Sequence, residues 1–159
     1  MTKPPLRHYL GEARIGSDWL RGRMTERQLS SRWPGDGRDV MVMPGLFTAD
    51  NRMAMMRRVL DRAGYRSHGW GLGRNMPVAP DLFDRLDARF DELDNQGPVT
   101  LVGWSLGGVV ARQYAKYAPQ RVAGVITLGS PFSGDPRANR AWRLYELVAD
   151  HKVDAPPIP

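Results

Sequence analysis

The chain has no cysteine among its 159 residues. This excludes disulfide bonds, thiolate nucleophiles and zinc–thiolate sites. It also fits a reducing compartment, so we expect a cytoplasmic protein. No apolar run approaches the roughly 20 residues that a membrane-spanning helix requires. Residues 1–10 contain two prolines and an arginine with no apolar stretch behind them, which argues against a secretory signal.

Long runs of like charge are also missing. The formal net charge is +6, yet lysine occurs only three times and arginine supplies the rest of the positive charge. Over residues 57–62 and 84–91 arginine and aspartate are interleaved, which is typical of solvated helix faces. We therefore expect a surface rich in arginine and no nucleic-acid partner. Contact of the N-terminal amphipathic stripe with a membrane is an open alternative that we do not expect. The oligomeric state is left open.

Apolar runs and amphipathic stretches alternate along residues 39–134. This order predicts βαβ units, and continuous apolar strands indicate a parallel sheet with helices on both faces. The predicted strands are Val40–Met43, Tyr65–Trp70, Val99–Val102 and Val122–Leu128. The predicted helices cover 49–63, 82–93, 106–118 and 136–150, with Gly64 and Pro119 as stop signals.

The chain divides into three segments. Residues 1–37 form an N-terminal helical or irregular segment, whose apolar stripe over 15–24 we expect to pack on its own domain. Residues 38–134 form the α/β core. Residues 135–159 are expected to begin a further helix and to end in a proline-rich tail. No internal repeat is present.

One motif directly after the third strand carries candidate chemistry. Gly103-Trp104-Ser105-Leu106-Gly107 matches G-x-S-x-G, in which a serine sits on a sharp strand-to-helix turn. Side chains at Gly103 and Gly107 would clash with that turn, and the helix N-terminus behind Ser105 favours developing negative charge. The structural alternative is a serine that only caps the helix. A phosphate-binding loop is disfavoured, because no lysine follows the glycines.

A second loop agrees with this interpretation. Acyl transfer requires two N–H donors for the tetrahedral oxyanion, one just after the nucleophile and one from a loop after an earlier strand. Leu106 is the first candidate donor, and Leu46, after Pro44-Gly45, is the second. A plain Pro-Gly turn remains the alternative for this loop.

Three stretches together resemble one known family. VMVMPGLF at 40–47, LVGWSLGG at 101–108 and VAGVITLGSPF at 122–132 are similar to the central part of an α/β-hydrolase of the lipase and esterase kind. The resemblance covers residues 39–131, and it departs from many lipases in having Pro44 where they carry histidine. It implies a serine hydrolase acting on small-molecule carboxylic or lipid esters, with no metal or organic cofactor. Phe47, Trp70 and Trp104 are the expected walls of the substrate pocket.

The rest of the catalytic machinery is not evident. The family order is serine, then Asp or Glu, then histidine, and only His151 follows Ser105. A triad of Ser105, Asp135 and His151 is disfavoured, because no strand precedes His151 to position it. The resemblance implies that the helix over 136–150 begins a cap or lid, and that the acid and the histidine lie beyond Pro159. We therefore expect little activity from this chain alone. His68 is expected to be structural or on the substrate side.

Two alternatives to ester hydrolysis remain open. The same serine could serve an acyltransferase or a thioesterase, and fold analogy does not separate these. A non-catalytic α/β-hydrolase-like domain is the alternative from another class.

Overall fold

The computed structural model describes residues 30–95 and 97–130, with a few isolated positions on either side. Strands and helices alternate throughout this range, as the sequence predicts. The elements are β1 (Asp39–Met43), α1 (Asp50–Ala63), β2 (Arg66–Gly69), α2 (Leu82–Asp91), β3 (Val99–Trp104), α3 (Leu106–Tyr117), a short 3₁₀ helix (Pro119–Arg121) and β4 (Val122–Leu128).

The four strands form one parallel sheet in the order β2-β1-β3-β4. In the centre, Met41 lies beside Leu101, and Leu101 lies beside Val125. Because all four strands run the same way, their carboxyl ends meet at one edge, where Met43 pairs with Gly103. This edge is where parallel sheets of this type bind ligands.

Helices cover both faces of the sheet, which confirms the predicted fold class. On one face, Met41 and Leu101 pack in a large core with residues of α2 and α3, among them Leu86 and Tyr114. On the other face, Val42 and its neighbours pack against α1. Successive side chains of a strand point to opposite faces, so two covered faces require the continuous apolar runs seen in the sequence.

The element ends follow local chemistry. Gly64 ends α1 in the left-handed region at φ 99°, and its N–H bonds the carbonyls of Leu60 and Asp61. β2 is one residue shorter at each end than the predicted strand, because the Tyr65 N–H bonds the Leu60 carbonyl and the Trp70 N–H bonds the Asp50 carboxylate. β3 is longer than predicted, because Gly103 and Trp104 remain paired with β4.

β4 lies at the rim of the sheet. Among the described residues it pairs only with β3, and Ile126 and Leu128 are 51% and 37% exposed. An outer strand with exposed apolar side chains favours pairing with further chain. The predicted helix over 136–150 and most of the N-terminal segment lie outside the described residues. Within the described residues, none of the helices combines the length and apolar character needed to cross a bilayer.

Tyr114 connects the larger core to a charged network on the surface. Its ring is fully buried against Phe83 and Phe90, and its hydroxyl donates to the Asp87 carboxylate at 2.6 Å. Burial, and then this hydrogen bond, raise the pKa of Tyr114 above its usual range, so the phenol stays protonated. Arg121 pairs with Asp87 and also with Asp91, and so ties the start of β4 to α2.

Replacing Tyr114 with phenylalanine is expected to lower the free energy of unfolding by about 1–2 kcal/mol, because one hydrogen bond to a carboxylate is lost. Tyr117→Phe is the matched control. Tyr117 lies in the same helix and is 45% exposed, and its hydroxyl has no partner among the described residues. Urea unfolding followed by circular dichroism measures both variants. Equal midpoints for the two would contradict a stabilising role of the Tyr114 hydroxyl.

Candidate functional site

Ser105 occupies the turn between β3 and α3. Its backbone lies at φ 52° and ψ −119°, a region that residues with side chains rarely adopt. Its N–H donates to the Leu128 carbonyl at 2.9 Å, and its own carbonyl accepts the N–H of Gly108 at 3.0 Å. The residue is half-buried, with a strand directly before it and a helix directly after it.

The capping alternative predicts that the serine hydroxyl bonds an N–H of the first helical turn. Ser105 makes no such bond. A cap residue also has ordinary extended backbone, whereas Ser105 has a positive φ. The geometry therefore favours the strained turn over a helix cap.

The two motif glycines lie where backbone meets backbone. A Cβ placed on Gly103 would overlap the Gly107 carbonyl oxygen and the backbone of Gly108. A Cβ on Gly107 would lie 2.5 Å from the carbonyl oxygens of Met43 and Pro44. The first turn of α3 thus packs directly on the chain that leaves β1.

The loop after β1 borders Ser105. A Cβ on Gly45 would lie 3.4 Å from the Cβ of Ser105 and 3.0 Å from the Trp104 ring. In this loop the Gly45 carbonyl accepts both the N–H and the hydroxyl of Thr48, at 3.1 and 2.8 Å. Neither Leu46 nor Leu106 has a hydrogen bond on its N–H within the part of the chain described. Both remain candidate oxyanion donors.

The sequence-based prediction did not identify two residues that hold the loops after β1 and β2. Asn75 is 1% exposed, and its side-chain amide donates to the Pro44 carbonyl at 2.6 Å. Asp50, the first residue of α1, accepts the N–H groups of Trp70 and Gly71 at 3.0 Å each. An acidic residue at the start of a helix is a signal for Asp50, whereas nothing local singles out Asn75.

The three predicted pocket residues lie in different environments. Phe47 is half-buried in the loop after β1, with φ 59°. Trp104 is 41% exposed and lines an open groove with Leu128 and the α1 residues Arg52, Met53 and Met56. Trp70 is 2% exposed in the larger core, and its indole N–H donates to the Gly73 carbonyl. Its ring offers no surface to a ligand, so we do not retain Trp70 as a pocket residue.

No histidine base is found beside Ser105 in the described residues. His68 bonds the buried carboxylate of Asp39 at 2.8 Å, together with Arg66, and this contact is structural. Asp135 and His151 lie outside the described residues. The described part also holds no cluster of three or more residues suited to bind a metal ion.

The parallel sheet, the strained serine and the close-packed glycines form the arrangement of one known family. A sequence model of the alpha/beta hydrolase fold matches residues 75–154, half of the chain. The chain belongs to the α/β-hydrolase family. A monoacylglycerol lipase from Paleococcus ferrophilus superposes on 69% of this α/β-hydrolase chain with a TM-score of 0.51 and 22% identity, which supports the fold. The chain covers 45% of that lipase.

Curated relatives share more sequence with this α/β-hydrolase. A pimeloyl-[acyl-carrier protein] methyl ester esterase from Shewanella woodyi is 30% identical over 68% of this chain, and 42% of that protein is covered. The polyketide synthase ThaQ from Burkholderia thailandensis is 34% identical over 77% of this chain, which corresponds to 7% of that protein. The chain therefore spans less than half the length of these relatives.

Gly107→Ala tests the contact between α3 and the chain leaving β1. We expect a loss of about 2–3 kcal/mol in the free energy of unfolding, because the added methyl group overlaps two backbone carbonyl oxygens, which cannot rotate away as a flexible side chain can. Gly124→Ala is the control, since a Cβ there has nothing within 4 Å, and its effect should stay within about 0.5 kcal/mol. Similar losses for both variants would show that the contact is not tight.

Ser105→Gly separates the strained turn from a helix cap. Glycine accepts a positive φ without strain, so this variant should be more stable than the unsubstituted chain by about 1 kcal/mol. Ser105→Ala keeps the Cβ and should change stability by less than about 0.5 kcal/mol. A capping serine predicts instead that alanine costs about 1 kcal/mol. Thermal and urea unfolding of the three proteins distinguish these outcomes.

Proposed function

We propose that this chain carries the nucleophile part of a serine ester hydrolase, with Ser105 as nucleophile. The observation that carries the proposal is the backbone of Ser105, at φ 52° between a strand and a helix and without a capping bond. Strain of about 1–3 kcal/mol persists at a residue only when the surroundings enforce it, and such strain clusters at functional sites. The esterase among the curated relatives supports the same chemistry.

In the proposed reaction the Ser105 hydroxyl oxygen attacks the carbonyl carbon of an ester. The carbonyl π bond opens, a tetrahedral oxyanion forms, and the serine proton passes to a base. The N–H groups of Leu46 and Leu106 stabilise that oxyanion, helped by the positive end of α3. Collapse breaks the bond to the leaving alcohol, which takes up a proton. Water then hydrolyses the acyl-serine to release the acid.

A base for the Ser105 hydroxyl and a carboxylate to orient that base complete the catalytic group in this mechanism. No side chain among the described residues bonds the Ser105 hydroxyl. In enzymes of this mechanism, loss of a triad member leaves roughly 10³–10⁴-fold catalysis over water, from the oxyanion donors and binding. We therefore propose that the chain alone reacts slowly and once, without sustained turnover.

The proposed substrates are small-molecule carboxylic esters or lipid esters. The exposed Trp104 and the half-buried Phe47 are apolar side chains next to the serine that suit an acyl group. No metal or organic cofactor takes part in the proposed steps. The absence of cysteine supports a cytoplasmic setting.

A second candidate is acyl transfer or thioester hydrolysis by the same serine. The similarity to a segment of a polyketide synthase favours keeping it. These reactions differ from ester hydrolysis in the acceptor or the leaving group, and they would use the same strand-to-helix turn at Ser105. A product assay with competing alcohol and thiol acceptors distinguishes them from ester hydrolysis.

Prolonged incubation with excess fluorophosphonate is expected to modify Ser105, as located by tandem mass spectrometry. The serine oxygen bonds phosphorus, fluoride leaves, and the serine proton passes to solvent. A short-chain nitrophenyl ester, in contrast, should show little or no Ser105-dependent turnover, because no side chain among the described residues bonds the Ser105 hydroxyl to act as its base. Ser105→Ala is the negative control, and Ser67→Ala is the matched control for a part-buried serine away from the site.

Two results would count against this proposal. Absence of an adduct at Ser105 after a day, or equal modification of other serines, would contradict an assigned nucleophile and favour the non-catalytic domain. Rapid turnover that disappears in Ser105→Ala would confirm the nucleophile and contradict the expectation of little turnover.

A further inference from the structure

Hydrogen bonds fix each peptide unit of the loop after β1. Its three successive peptide units, Pro44–Gly45, Gly45–Leu46 and Leu46–Phe47, each carry a hydrogen bond from outside the unit. A peptide unit is planar, and in the trans form its N–H and C=O point in opposite directions. Fixing one end of a unit therefore fixes the direction of the other end.

The middle unit carries the candidate donor. Its carbonyl, that of Gly45, is held by the N–H and the hydroxyl of Thr48. The N–H of the same unit belongs to Leu46 and must point to the opposite side of the loop. Gly45 itself borders the Cβ of Ser105. The direction of the Leu46 N–H thus depends on keeping this unit from rotating.

Asn75 holds the units on both sides. Its side-chain amide donates to the Pro44 carbonyl at 2.6 Å, and its backbone carbonyl accepts the Phe47 N–H at 2.7 Å. Its own N–H donates to the Thr48 carbonyl at 2.8 Å. One residue therefore makes three hydrogen bonds to a five-residue loop that lies about thirty positions earlier in the sequence.

Asn75 is itself firmly placed. It is 1% exposed, so its hydrogen bonds form away from competing water. The segment leading to it is anchored by the Asp50 carboxylate at Trp70 and Gly71, and by the Trp70 indole at Gly73. A fully buried amide that is anchored in this way is suited to hold the loop that it contacts in one conformation.

We propose that Asn75 is a positioning residue, which orients the Leu46 N–H toward the oxyanion by holding the peptide units on either side of it. The inference rests on the proposed function for its catalytic part. Asn75 touches neither substrate nor Ser105 in this role and acts through residues 44–48. The Pro44 carbonyl that it holds is the one against which Gly107 packs, so the same bond also sets the distance between this loop and α3.

Amide exchange measured by NMR on the full chain tests the positioning itself. Asn75→Asp removes the donor with little change in shape and places a buried carboxylate oxygen against the Pro44 carbonyl, so it is expected to speed exchange of the Phe47 and Thr48 amides by at least about five- to tenfold, the effect of losing one hydrogen bond. The Leu101 and Val102 amides of β3 should keep their rates. Asn75→Ala replaces the aspartate variant if that variant does not fold.

Asn95→Asp is the matched control. Asn95 also donates its side-chain amide to a carbonyl, that of Gly97 at 2.6 Å, but it is remote from the loop and makes its bond at the surface. This variant should leave the exchange of Phe47 and Thr48 unchanged. The rate of fluorophosphonate addition to Ser105 is then compared in all three proteins.

We expect the adduct to form about 10- to 100-fold more slowly in Asn75→Asp, and within about twofold of the unsubstituted rate in Asn95→Asp. Unchanged exchange at Phe47 and Thr48 overturns the positioning role. Faster exchange of these amides with an unchanged rate of adduct formation would show that Asn75 holds the loop but does not affect the Leu46 N–H as an oxyanion donor. Failure of the unsubstituted chain to form any adduct overturns the proposed function, and is distinguishable because it does not involve Asn75.

Discussion

The site depends on one turn, at which β3 becomes α3 with no intervening loop. Ser105 takes a left-handed backbone conformation there, while Gly103 and Trp104 are still paired in the sheet and Leu106 already begins the helix. The backbones of Gly103, Gly107 and Gly108 lie so close together that a side chain at Gly103 has no space. The loop after β1 packs on the outer side of this turn, so its position follows from the same constraint.

The described strands and helices, and the strand-to-helix turn at Ser105, could be predicted because their signals are local. Two covered faces require continuous apolar strands, and the glycines of the G-x-S-x-G motif are needed within five residues of each other. The hydrogen bonds that hold the loop after β1, and the segment that contacts it, could not be predicted. Asn75 and Pro44 are 31 positions apart, and Asp50 and Trp70 are 20 apart, so each bond exists only once the sheet has formed.

Two tryptophans show the same limit of sequence-based prediction for single side chains. Trp70 and Trp104 both lie near the carboxyl ends of strands, and the sequence treats them alike. Trp70 follows β2 and turns into the core beneath the next loop, where its indole finds the Gly73 carbonyl. Trp104 ends β3 on the face that α1 covers only in part, and it stays exposed beside Leu128. Which tryptophan meets solvent depends on helix placement, which periodicity does not specify.

The hydrogen bond from the Ser105 N–H to the Leu128 carbonyl links the turn to the last residue of β4. During synthesis on the ribosome, β1, α1 and β3 emerge well before this partner does. The serine's backbone therefore gains its full set of hydrogen bonds only after residue 128 has left the exit tunnel. Until then β3 is itself an outer strand, so the turn at Ser105 is completed only when β4 is present to pair with β3.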